Sequence, residues 1–224
     1  MPKSNQPLFE APGPLRPGRH GMTREEVAAS QRMRLLLSIT QVVGERGYAG
    51  TTIAHISNGA DVSKKTFYAH FRDKEHCFLS AYEAFSTFLL DEMRKARAAE
   101  AGDALRQYEA SVTRYLTILQ AHPERTRALL VEVLTCGERL LRQRRRVLEA
   151  FEQDMRAMVA EAVGPAGIWS LLPDEAYRIA VGGIDECVRL RILEGGVREL
   201  PDLAPGLVDN FQRLVDAQGR VRPT

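Results

Sequence analysis

The stretch Thr51–Glu75, TTIAHISNGADVSKKTFYAHFRDKE, constrains this chain more than any other. Its apolar residues recur at helical spacing, but in two runs too short to stand alone as helices in water. Ile53, Ile56 and Ala60 form one inward face over 52–60, and Phe67 and Phe71, four residues apart, form another over 63–71. Thr52 and Ser63 stand where each helix needs an N-cap hydroxyl to accept a free backbone N–H. Asp61-Val62 is then the turn. Asp61 is expected in the left-handed region, where Asp is enriched although Gly is easier, and Val62 fills the gap between the helices.

The second short helix exposes Lys64, Lys65, Thr66, Tyr68 and His70, cations and hydrogen-bond donors on one small rod. A helix-turn-helix places such a rod in the major groove of DNA. Lysine donates to guanine O6 and N7, and the threonine methyl matches a thymine methyl. Tyr and Thr hydroxyls suit phosphate oxygens. The alternative is a plain helical hairpin with a solvated basic face. Asp73 caps the next helix and puts Lys74 at its N-terminus, where free N–H groups and the helix dipole already favour a phosphate.

Residues 32–78 resemble the DNA-binding domain of the TetR family of bacterial regulators. The resemblance rests on Arg32, Leu35-Leu36, Val42-Val43, Gly47-Tyr48, Thr51-Thr52, Ile56, Ala60, Val62-Ser63, Thr66-Phe67-Tyr68, His70-Phe71 and Lys74-Glu75. Ser57, Asp61 and Lys65 depart from the common residues of that pattern, Lys65 toward a more basic surface. The resemblance implies operator DNA as partner, with Thr52, Ser63, Lys64, Lys65, Thr66, Tyr68, His70 and Lys74 as DNA-binding residues. It also implies a C-terminal helical domain that binds a small-molecule effector and forms a homodimer through its last two helices.

Charge follows the same division. Residues 1–76 hold eleven Lys/Arg against seven Asp/Glu and four of the five histidines, whereas 77–224 are slightly acidic. The basic end is the end with the motif, as nucleic-acid binding requires. Residues 1–22 carry five of the eleven prolines and are expected to be a disordered arm. Within the arm, Arg16, Arg19 and His20 either brush a minor groove or belong to an inert tail. No run reaches the roughly eighteen apolar residues of a membrane span, and no signal peptide is evident, so a cytoplasmic location is expected. Cys77, Cys136 and Cys187 form no CxxC; they are expected as buried small apolar residues, with a redox-sensing thiol as the alternative for one of them, and with no metal site and no disulfide framework.

Beyond 76 the periodicity stays helical, and the fold is expected to be all-α. The domains read as an arm (1–22), a helix-turn-helix domain (23–76) and an effector-binding and dimerisation domain (77–224). Thr23 with Glu26 makes a capping box for a first helix that runs to about Arg46 and stops at Gly47. A helix from Pro123 is expected to end near Gly137, and a long one to run from Glu138 to about Ala162. The Arg142, Arg144, Arg145, Arg146 cluster on that long helix reads as a solvated face. Ala176, Ala180, Gly183, Cys187 and Leu190, in steps of four and three, make a seam of small residues for close packing, either within the monomer or between two copies; the TetR resemblance implies the latter, a dimer interface that also takes in Leu207, Phe211 and Leu214. Phe85, Phe88, Tyr108, Tyr115, Phe151, Met155 and Trp169 are candidates for an effector cavity, or plain core.

No phosphate-binding glycine loop, HExxH or G-x-S-x-G is present, so neither an enzyme nor a cofactor is expected. The first reading is a DNA-binding transcriptional regulator, a repressor released from an inverted-repeat operator by its effector. The second is an all-helical protein interaction module that does not bind DNA.

Overall fold

The computed structural model describes the backbone over residues 23–100, 104–163 and 173–220, and side chains over the same stretches except 161–163 and 214–220. The arm and Trp169 lie outside the described residues. Among those described, every regular element is helical: α1 (Arg24–Gly50), α2 (Ile53–Gly59), α3 (Lys64–His70), α4 (Lys74–Ala98), α5 (Ala104–Ala121), α6 (Pro123–Leu130), α7 (Glu138–Val163), α8 (Asp174–Leu193) and α9 (Ala204–Arg220). Short 3-10 turns at Glu132–Thr135 and Leu200–Leu203 complete the set. No helix among these residues is long and apolar enough to cross a membrane.

The chain divides into two compact units. The first runs through Phe85 and also takes in Glu124–Leu140; the second comprises Ser86–Pro123 and the chain from Leu141 onward. The first unit is built on α1. Its N-terminus carries the capping box, with Thr23 N–H donating to Glu26 Oε2 at 2.7 Å and Glu26 N–H to Thr23 Oγ1 at 3.2 Å. Leu35, Leu36, Ile39, Val42 and Val43 are buried along it, and α2 and α3 lay Ile56, Phe67 and Phe71 into the same core. The helical path breaks at Gly47, whose φ of 73° only glycine adopts freely, and one further turn leads to the Thr51 cap. α6 crosses α1 so closely at Gly44 that a Cβ there would collide with the Glu124 carbonyl oxygen.

Asp61 has a φ of 50°, the left-handed conformation expected of it, and is the one non-glycine with positive φ among the described residues. The turn is held from α1. Arg34 donates to the Asp61 carbonyl oxygen at 3.3 Å, and Ser38 donates to the Ile56 carbonyl oxygen at 2.7 Å.

In the second unit α5 packs against α9 and the 3-10 turn that precedes it. Tyr108 stacks on Phe211 with ring centroids 4.1 Å apart, and Tyr115 meets Phe151 edge-on at 6.2 Å. α8 ends on Gly195 at φ 84°, with the Gly196 N–H bonded to the Arg191 carbonyl.

Several expectations are corrected. α6 stops at Leu130 rather than near Gly137. The next residues tighten into a 3-10 turn, in which Thr135 Oγ1 and Cys136 Sγ both donate to the Glu132 carbonyl, at 2.9 and 3.0 Å. Arg144 does not belong to a solvated face: it is mostly buried and pairs with Asp185 of α8. Cys77 and Cys136 are buried, but Cys187 is exposed.

The turn yields a direct test. Replacing Asp61 with Gly relieves the left-handed backbone and gives up a long, 3.9 Å ion pair between the exposed Asp61 carboxylate and the largely buried Arg34. The net gain should be about 0.5–1 kcal/mol, raising Tm by about 2–4 °C. Thermal unfolding followed by circular dichroism checks it; an unchanged or lower Tm would show that the turn is not strained.

Candidate nucleic-acid interface

The α2–turn–α3 pair owes its shape to caps at both starts. Thr52 Oγ1 accepts from the His55 N–H at 3.2 Å, and the Thr52 N–H donates to His55 Nδ1 at 3.4 Å, so an imidazole fills the place usually held by Glu. Ser63 Oγ accepts from the Thr66 N–H at 3.0 Å. α3 is seven residues long and gains its stability from what it buries rather than from length. Phe67 is fully buried and Phe71 nearly so, their ring centroids 5.8 Å apart. The Arg32 guanidinium lies 5.1 Å over the Phe71 ring, and His76 meets the same ring edge-on.

The outward side of α3 sorts the expected residues into two groups. Lys64 and Lys65 are exposed, and Tyr68 is 58% exposed, its ring braced edge-on against Phe67 at 5.6 Å. Thr66 and His70 are half-buried and already engaged. The Thr66 and Ser63 hydroxyls bond each other at 2.9 Å, and His70 Nε2 meets Gln31 Oε1 of α1 at 3.3 Å. Burial, and secondarily the Arg32 charge, lower the His70 pKa, so the ring is neutral at neutral pH and is no cation. Gln31 was not singled out in the sequence, because nothing local marks a residue of α1 as the partner of one in α3.

Lys74 holds a position the sequence did not suggest. Its ammonium donates to the carbonyl oxygens of Tyr48 at 2.7 Å and Thr51 at 2.9 Å, and sits 4.1 Å from the Tyr48 ring centroid. It thus ties the end of α1, and the entry to α2, to the start of α4. Two of its three N–H groups are used in this way. Burial lowers its pKa and pushes the Tyr48 phenol up to about 12, so Tyr48 stays protonated. Asp73 Oδ1 accepts from the His76 N–H at 2.7 Å, the expected cap of α4, and Glu75 pairs with Arg139 at 2.9 Å.

The remaining candidates lie elsewhere. Phe85 is buried in the first unit, while Phe88, Tyr108, Tyr115, Phe151 and Met155 belong to the second. Tyr108 and Tyr115 are spent on ring contacts with Phe211 and Phe151. On α8, Gly183, Cys187 and Leu190 are exposed and Ala180 is half-exposed; Ile179 and Leu193 extend that surface. A Cβ on Gly182 or Gly183 would meet nothing within 4 Å. Ala176 and Phe211, expected to face a partner, are buried in their own unit, Phe211 because Tyr108 stacks on it. Leu207 is half-buried, and the Leu214 side chain lies outside the described residues. The sequence also gave no sign of two buried carboxylates. Asp154 accepts from Arg94 at 2.6 Å and from Arg97 at 2.9 Å, and Asp185 pairs with Arg144. Three or more His, Cys, Asp or Glu side chains are nowhere grouped to hold a metal ion among the described residues.

Comparison with known proteins follows this geometry. Residues 35–81 match the family described as bacterial regulatory proteins, tetR family. The HTH-type transcriptional regulator YerO of Bacillus subtilis is 31% identical over 72 residues, which cover 32% of this chain and 25% of that relative. Among solved structures, the fatty acid degradation regulator FadR of Bacillus halodurans superposes with a TM-score of 0.73 at 20% identity, covering 87% of this chain and 97% of that one. FadR of Bacillus subtilis, solved in complex with stearoyl-CoA, superposes with a TM-score of 0.71 at 17% identity, covering 80% and 96%. The two FadR structures share the all-helical fold with this chain.

Lys74→Met keeps the packing stem and deletes both charged hydrogen bonds to α1. It should cost about 2–4 kcal/mol of stability, visible as a lower urea midpoint. An unchanged midpoint would mean that the clamp contributes nothing to the fold.

Proposed function

We propose that this chain, whose residues 35–81 belong to the tetR family of bacterial regulatory proteins, is a dimeric DNA-binding transcriptional regulator that an effector releases from an inverted-repeat operator. The observation that carries the reading is α3 itself. A short helix behind a tight left-handed turn is pinned from below by Phe67 and Phe71 and presents Lys64, Lys65 and Tyr68 outward. That is the form in which a helix-turn-helix offers its second helix to the major groove. The lysines supply donors for guanine edges or phosphates, and Tyr68 supplies a hydroxyl for a phosphate. Thr52 and Ser63, both exposed, stand at the starts of the two helices where backbone and hydroxyl groups suit phosphate oxygens. Lys74 positions the pair through the Tyr48 and Thr51 carbonyls, and its charge at the start of α4 suits a phosphate.

One half-site gives too few contacts for selective binding, so a second copy is needed. The exposed Ile179, Gly183, Cys187, Leu190 and Leu193 of α8 form the surface on which that copy docks, small residues letting two helices approach closely. The two recognition helices then lie about 34–36 Å apart, one turn of DNA. The effector acts by favouring a dimer with a different separation. DNA binding falls to residues 23–76 within the first unit, and effector binding and dimerisation to the second unit. The protein acts as a repressor. The effector binds in the second unit, and stearoyl-CoA, held by the Bacillus subtilis neighbour, is the first compound to try.

The test is binding of random duplex DNA across a salt series. The protein should bind tightly at about 50 mM salt, and log K should fall linearly with log salt, by about 0.9 per phosphate neutralised. Absence of binding at low salt would leave the interaction-module reading in its place. Dimerisation has its own test. Gly183→Leu places a branched side chain on the docking surface without disturbing its own unit, where that position is open. Sedimentation should show a dimer for the natural protein and a monomer for the variant; a natural monomer at micromolar concentration would contradict the assembly.

A further inference from the structure

Fewer residues of α3 are available for reading bases than its sequence suggests. Thr66 is joined to Ser63, and His70 to Gln31. Lys64, Lys65, Tyr68 and Ala69 remain exposed on the helix. Three of these carry polar groups; the fourth ends in a bare methyl.

We propose that Lys65 contacts a guanine and that Ala69 is a specificity-determining residue, its methyl group packing on the C5-methyl of a thymine about two base pairs from that guanine. This rests on the DNA-binding function proposed above. Lys65 and Ala69 are four residues apart and therefore lie on one face of α3, separated by roughly 6 Å along its axis. Base pairs rise by about 3.4 Å each, so two steps match that separation when the helix follows the groove. On the major-groove edges of the bases the apolar feature is the thymine methyl, which alanine contacts without a competing polar group. Its size matters as well. Ala69 is exposed next to Tyr68 and one turn on from Lys65, and on the groove floor a longer side chain there would hold the helix away. Alanine is also simply a good helix former, so a merely structural role must be separated from this one.

Full-length protein is used to select duplexes from a random-sequence library, and the selected duplex is then remade with deoxyuridine at the thymine in question, which deletes one methyl group. Natural protein should bind the deoxyuridine duplex roughly fourfold more weakly, the effect of uncovering one such group. Ala69→Gly should bind both duplexes equally. Because glycine weakens a helix, Ala69→Ser repeats the comparison, and the ratio within each variant cancels any loss of folded protein. A selected sequence without thymine at that spacing overturns the proposal. So does an equal affinity of the natural protein for both duplexes, or a fourfold ratio that persists in the glycine variant. Failure of the natural protein to retain any duplex is a different result, and overturns the DNA-binding function together with this assignment.

Discussion

Burial of Phe67 and Phe71 is what the rest of the first unit depends on. α2 and α3 are each seven residues long, below the length at which a helix holds itself together in water. They persist because Ile56, Phe67 and Phe71 are within 1% of complete burial, in a core to which α1 contributes the equally buried Leu35, Ile39 and Val43. Each fully buried side chain of this size contributes about 1.5–3 kcal/mol that a helix of this length in water lacks. Once those rings are inside, helical geometry sends Lys64, Lys65 and Tyr68 outward. The surface offered to DNA is thus a consequence of the core beneath it.

Polar contacts then set positions that the apolar core leaves loose. Arg34 and Ser38 hold the turn region of α2 through backbone oxygens, and Lys74 holds the end of α1 in the same way. Backbone carbonyls are good anchors for such cations, since they fix the path of the chain rather than one rotamer. In the second unit the C-terminal half of α4 is tied to α7 by a buried carboxylate, Asp154, that accepts from both Arg94 and Arg97. Removing the carboxylate would leave the largely buried Arg97 guanidinium without its partner, whereas Arg94 is half-exposed and also pairs with Asp91. α4 therefore has its first turns fastened within one unit and its last turns fastened within the other.

The helix-turn-helix was legible because its signals are local. Thr23 with Glu26, Thr52, Ser63 and Asp73 each cap where the sequence placed a helix start, and Asp61 adopts the left-handed backbone its place in the turn requires. What stayed hidden was what each buried stripe packs against. Phe211 belongs to an apolar face of α9, but periodicity does not say whether that face meets Tyr108 or a second chain. Arg144 reads like its neighbours Arg145 and Arg146 until α8 brings Asp185 beneath it. His70 and Lys74 look like free cations for the same reason: their partners Gln31, Tyr48 and Thr51 lie more than twenty residues away. The early end of α6 was hidden too, since Val131–Cys136 carries no glycine or proline to mark the change to a 3-10 turn.

Chemical interference on a selected operator tests the central claim most directly, that α3 enters the major groove. Dimethyl sulfate methylates guanine N7 in the major groove and adenine N3 in the minor groove. If α3 reads the major groove, methyl groups at guanine N7 should block binding at two symmetry-related positions whose centres lie about one helical turn, roughly 34–36 Å, apart. Interference confined to adenine N3, or spread evenly without symmetry, would contradict the account.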